Sequence, residues 1–115
     1  MEKIVEQGLL YDFYGELLTE HQKNIYEAAV YDDMSLTEIA DEHGISKQGV
    51  HDLIKRCTKT LQSYEDKLHM IRRFEAIKCS AEELSKLSEI ADSISKDELK
   101  KSTKEISSRI IEELT

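Results

Sequence analysis

The sequence predicts an all-α protein, and three observations carry that expectation. The 115 residues contain no proline and only 4 glycines, and none follows Gly49, so residues 50–115 hold nothing that breaks a helix interior. Apolar residues recur at spacings of three and four instead of alternating. Ser or Thr stands three residues before Glu or Gln at Thr19–Gln22, Ser35–Glu38, Ser80–Glu83 and Ser95–Glu98. In that arrangement each side chain satisfies the other's backbone N–H at a helix start. At 39% hydrophobic and 35% charged, the chain supports one small core with an appendage, divided at 1–70 and 71–115.

The first helix is expected over residues 3–18. Val5, Leu9, Phe13 and Leu17 repeat every four, with Leu10, Tyr14 and Leu18 alongside, so the apolar face is wide. Gly8 and Gly15 weaken this helix by about 1 kcal/mol each relative to Ala and suit a close approach to another helix. Tyr11, Phe13 and Tyr14 read as core, not as base-stacking groups, because they sit at helical spacing beside Asp12 and Glu16. The second helix opens at the Thr19–Gln22 box and runs to about Tyr31, with Ile25, Ala28, Ala29 and Tyr26 inward. Asp32 and Asp33 oppose the macrodipole at its end and mark a solvated loop.

Leu36 to Lys55, LTEIADEHGISKQGVHDLIK, reads as a helix-turn-helix. Ser35 and Glu38 cap its first helix, which ends near His43. Ala40 is small where two helices must approach. Gly44 supplies a left-handed turn at little steric cost. Ile45 plugs the turn and Ser46 caps the second helix. Val50, Leu53 and Ile54 form that helix's inward face. The second helix of such a motif presents its N-terminal residues to the DNA major groove. Lys47, Gln48 and His51 are the candidate base readers. Ser46, Lys55, Arg56 and Lys59 are the candidate phosphate contacts, and Thr37 offers its backbone N–H to a phosphate.

No stop signal follows. Val50, Ile54, Cys57, Leu61, Tyr64, Leu68 and Ile71 recur at alternating spacings of four and three, the spacing of a coiled-coil seam. The expectation is one helix from Ser46 to about Lys78, ~50 Å long at ~1.5 Å per residue. Such a helix outreaches the first 70 residues, so a homodimer through Cys57, Leu61, Tyr64, Leu68 and Ile71 is expected. Two more helices follow, from the box at Ser80 (Leu84, Leu87, Ala91, Ile94) and from the box at Ser95 (Leu99, Ile106, Ile110, Ile111, Leu114). Their apolar stripes are narrow and need a surface to lie on.

Charge restrains the functional reading. The net charge is −8. Residues 1–70 carry 7 Lys/Arg against 14 Asp/Glu, and residues 71–115 carry 9 against 10. Yet Ser46–Lys59 holds Lys47, Lys55, Arg56 and Lys59 against Asp52 alone. A basic patch confined to one helix predicts weak, salt-sensitive DNA binding or a role that needs a partner. No glycine-rich phosphate loop, nucleophile elbow, zinc-protease pair or Cys/His metal spacing occurs. The expectation is no enzyme, no metal and no cofactor. Cys57 and Cys79 are expected as reduced thiols in a cytoplasmic protein. No run is long enough for a membrane span.

The combination of Tyr11–Tyr14, Leu17-Leu18-Thr19-x-x-Gln22, Tyr31–Leu36, Ile39-Ala40, Ile45–Gln48, Val50, Asp52, Ile54–Arg56 and Tyr64–Leu68 resembles the YlxM family of bacterial proteins. That family is itself similar to the region 4 helix-turn-helix of housekeeping sigma factors. The resemblance implies a sigma-region-4-like domain with a long recognition helix and a C-terminal helical extension. It also implies a regulatory role linked to the signal recognition particle pathway. DNA is the expected ligand. The alternative is an accessory that binds the particle's protein or RNA without reading DNA.

Overall fold

The computed structural model describes residues 2–115, and all regular structure among them is helical. The helices are α1 (Lys3–Tyr14), α2 (Glu20–Val30), α3 (Leu36–His43), α4 (Lys47–Leu68), α5 (Met70–Glu89) and α6 (Lys96–Leu114). Single 3-10 turns occupy Gly15–Leu17 and Ala91–Ser93. The chain divides into two compact units, the first ending at His69 and the second spanning Met70–Thr115.

In the first unit, α1 and α2 both pack on α4, and α3 completes the helix-turn-helix. Leu10, Tyr14 and Leu18 are the buried face of the N-terminal segment, whereas Val5 is 48% and Leu17 59% exposed. The expected stripe at every fourth residue drifts about 40° per step around a 3.6-residue helix. The 3-10 turn at Gly15 then resets its phase, so both ends of that stripe leave the core. Gly15 is needed, but not for another helix. A Cβ there would stand 2.8 Å from the Tyr11 ring of the preceding helix.

Polar ties fix α1 and α2 against α4. Thr58 Oγ1 spends its one proton on the Ile54 carbonyl (2.9 Å), so it accepts from Gln7 Nε2 (3.2 Å) and from the Tyr26 hydroxyl (2.8 Å). Tyr14 donates to Glu65 at 2.6 Å. Tyr11 stacks on Tyr26 with ring centres 5.7 Å apart and donates to Glu27, while Tyr31 donates to Asp12. Burial, reinforced by those carboxylates, pushes the Tyr31 hydroxyl up to about 12 and raises Tyr11 further. Burial also raises Tyr26.

The expected seam on α4 divides. Val50, Cys57 and Leu61 are fully covered inside the chain, and Tyr64 is half-buried beside the Tyr14 ring. Cys57 and Leu61 therefore have no surface to offer a second copy, and that part of the expected dimer contact is corrected. Leu68 is half-exposed. The expected helix from Ser46 to Lys78 is corrected as well. It stops at Leu68, where His69 adopts the left-handed conformation (φ 55°, ψ 30°) and donates its N–H to the Glu65 carbonyl at 2.8 Å. This is a glycine-like C-cap made by a residue with a side chain, at a cost of about 1–2 kcal/mol. Ile71 thus belongs to α5, not to the helix that carries the rest of the seam.

The second unit is an α5–α6 hairpin. Arg72 pairs with Glu113, and Arg109 with Glu83. Its buried residues are Ser80, Leu87 and Ile106. The expected helix start at Ser80 is overturned: α5 runs through it from Met70, so the Glu83 N–H already has an intrahelical partner. Ser95 does cap α6, accepting from the Glu98 N–H at 3.1 Å. Leu84, Ile111 and Leu114 of the narrow stripes remain exposed, as does Ile90 outside them.

Candidate nucleic-acid interface

Local chemistry builds the helix-turn-helix as the sequence anticipates. Ser35 and Glu38 cap each other's backbone N–H, at 3.1 and 3.2 Å, and start α3. Gly44 ends it in the left-handed region (φ 66°, ψ 32°), with its N–H on the Ala40 carbonyl. Open space surrounds the position where a Gly44 Cβ would lie, so the requirement there is conformational, not steric. The Ile45 N–H also reaches the Ala40 carbonyl (3.1 Å). Ser46 Oγ then accepts from the Gly49 N–H at 2.9 Å and starts α4. Ile25, Ala28, Ile39, Ala40 and Val50 form the core beneath, flanked by Met34, Leu36, Ile45, Leu53 and Ile54. The angle between α3 and α4 is thus held by caps at the turn and by apolar packing under it.

Thr37, Ser46, Lys47, Gln48, His51, Lys55, Arg56 and Lys59 are all exposed. Five of them line two depressions along α4. The smaller, about 460 Å³, is lined by Leu36, Lys47, Gln48 and His51. The larger, about 690 Å³, includes Lys3, Gln7, Leu36, His51, Lys55 and Lys59 in its lining. They share Leu36 and His51, so they adjoin, a two-part hollow running from the N-terminus of α4 along its flank. Thr37 and Arg56 line neither depression. Arg56 follows Lys55 by one residue and so points about 100° away round the helix. Ser46 Oγ uses one lone pair on the cap, so its O–H still has a proton to donate to a phosphate oxygen.

The hollow has a built-in polar partner. Asp52 accepts from Gln48 Nε2 at 2.9 Å and lies 3.6 Å from His51 Nδ1. The expected base-reading amide is therefore held, one turn apart, by a carboxylate. A base contacting Gln48 must share or replace that bond. Asp52 also repels phosphate, so it favours groups that donate hydrogen bonds.

Sequence reasoning missed Lys3, Gln7, Thr58, Gln62, Ser63 and Asp66, which complete the hollow with Ile54. Thr58, Gln62 and Asp66 continue the His51–Lys55 stripe at helical spacing, so extending that stripe would have found them. Lys3 and Gln7 are brought in only by the packing of α1 on α4. Cys57 faces inward with its thiol pushed up by burial, against a smaller opposing pull from Arg56, and is unsuited to act as a nucleophile. Among the described residues, no three His, Cys, Asp or Glu side chains converge as a metal site. Among the described residues, no helix is long and apolar enough to cross a membrane.

A family model described as "UPF0122: Putative helix-turn-helix protein, YlxM / p13 like" matches residues 1–107. A UPF0122 protein of Clostridium novyi is 37% identical over 113 residues, covering 97% of this chain and 98% of that one. One from Lactococcus lactis subsp. cremoris is 45% identical over 86 residues, covering 75% and 78%. One from Streptococcus pyogenes is 51% identical over 70 residues, covering 61% and 62%.

Proposed function

The chain belongs to the UPF0122 family of helix-turn-helix proteins, and on that premise we propose that it is a nucleic-acid-binding regulator that reads duplex DNA with α4. One observation carries the reading: Lys47, Gln48, His51, Lys55 and Lys59 line two adjoining depressions on the second helix of the motif. Lys47, Gln48 and His51 face the base edges. Lys55 and Lys59 hold phosphates beside them, Arg56 serves the flank, and the α3 N-terminus at Thr37 and the turn at Ser46 offer backbone N–H groups. Phosphate neutralisation supplies most of the affinity, which falls steeply with salt. Residues 1–70 carry 14 acidic against 7 basic side chains, which weakens that phosphate-derived affinity.

Selection on random duplexes at low salt is expected to enrich one site. Gln48→Ala then costs about 1–3 kcal/mol at a single adenine position and relaxes specificity there. Selection that returns no enriched sequence overturns the reading. The regulator acts as a dimer through surface other than Cys57 and Leu61, which sedimentation equilibrium tests.

A second reading is favoured by the 14 acidic against 7 basic side chains of residues 1–70. It is an accessory of the signal recognition particle that binds the particle's protein or RNA and leaves DNA alone. Acidic surface suits a basic protein partner. Capture of the particle's protein or RNA at low salt, with no duplex selected, decides for it.

A further inference from the structure

We propose that Lys3, at the start of α1 and outside the helix-turn-helix, is part of the nucleic-acid interface and holds a phosphate of the strand that α4 contacts. The inference rests on the DNA-reading function above and adds a second helix to its surface. Lys3 lines the larger depression together with Lys55, Lys59 and His51, so cationic groups stand on both walls. The acidic residue on that lining is Asp66, three helical turns beyond Lys55 on the same helix.

Its position is held. Lys3 and Gln7 are one turn apart on α1, on the same face. Gln7 Nε2 donates to Thr58 Oγ1, which is also bonded to Tyr26 and to the Ile54 carbonyl. That three-helix knot forms part of the depression's lining. It presents Lys3 one turn away, at the lip. The Lys3 side chain is exposed, and a long ammonium stem at a lip reaches a phosphate while its charge stays hydrated. Apolar Leu36 and Ile54 also line the hollow, and among the described residues no Phe, Tyr or Trp does. A duplex backbone passing between two basic walls fits that chemistry better than a stacked single strand.

The test is the salt dependence of duplex binding by the full chain. Lys3→Gln is expected to reduce the slope of log K against log salt by about 0.9, and to weaken binding about eightfold near ~0.1 M salt. Lys67→Gln removes the same charge from α4 at a residue that lines neither depression, and is expected to leave the slope unchanged. Equal slopes for the two variants overturn the inference while the DNA-reading function stands. Salt-insensitive or absent duplex binding by the unaltered chain overturns both. Lys3 is exposed at the beginning of a helix, and circular dichroism of the variant is expected to match the parent.

Discussion

The two units contain similar helices and differ in what lies between them. In the first, eleven apolar residues from Leu10 to Leu61 are buried, six of them in fully covered side chains. Polar groups knot α1, α2 and α4 together at Thr58. In the second, Leu87 and Ile106 are the buried apolar residues, beside Ser80, and the pairs that bridge the helices lie on the surface. The lesson concerns function as much as stability. A surface that must hold Lys47, Gln48, His51, Lys55 and Lys59 in register needs a rigid floor, and the first unit provides one. The second unit has too little core to fix side chains to the same precision.

The largest expected effect separates the two cores. Ile39→Ala, at a fully buried position under the helix-turn-helix, is expected to destabilise by about 2–5 kcal/mol, towards the upper end. Leu87→Ala falls at the lower end because its surroundings can collapse. Urea unfolding read with native-state hydrogen exchange distinguishes them: α2–α4 amides are expected to exchange later than α5–α6 amides. Equal costs and equal protection would mean that the two cores are equally well packed.

Next come the turns that set the reading helix. Gly44→Ala forces a side chain into the left-handed region and is expected to cost about 1–2 kcal/mol with no clash involved. Ser46→Ala loses the α4 cap for about 1 kcal/mol. Thermal unfolding checks both, and a neutral Gly44→Ala would remove the conformational account of the turn.

A smaller effect lies at alkaline pH and again belongs to the first unit. Tyr31 is pushed up to about 12, and Tyr11 and Tyr26 are also raised. Below about 10 both folded and unfolded chains keep these protons, so stability is unaffected. Between about 10 and 12 the unfolded chain loses them first, so stability falls as pH rises. The chain has 5 tyrosines and no tryptophan, so tyrosinate absorbance reads this directly. At least three of the five are expected to ionise late in the folded protein and near 10 in urea.

The smallest effect is in the second unit. Arg109 holds the Glu83 carboxyl below its ordinary range, so the contribution of this pair is present above that range and is lost only on acidification. The pair is solvent-exposed, and Glu83→Gln is expected to leave the melting temperature at neutral pH within error. A clear loss would mean that surface pairs, not Leu87 and Ile106, hold the hairpin.

The local grammar of this protein was legible in its sequence. The caps at Thr19, Ser35, Ser46 and Ser95, the left-handed Gly44, the inward Ile39, Ala40 and Val50, and the exposed basic face of α4 all follow from side chains acting on their own backbone or from helical period. What failed was whatever depended on a partner distant in sequence. The Ser80 box is sound chemistry, but a helix already running through it needs no cap. The α4 seam has coiled-coil spacing, yet α1 and α2 cover its first half, and spacing alone does not say whose surface fills it. His69 ends α4 in the left-handed region without glycine or proline, a conformation that local preference disfavours and the residue type does not announce. Lys3 and Gln7 reach the basic hollow only because α1 lies across α4, some fifty residues away along the chain. Short-range forces decide where helices begin and which face is polar. Which faces meet is decided by burial, which couples residues without regard to their order in the chain.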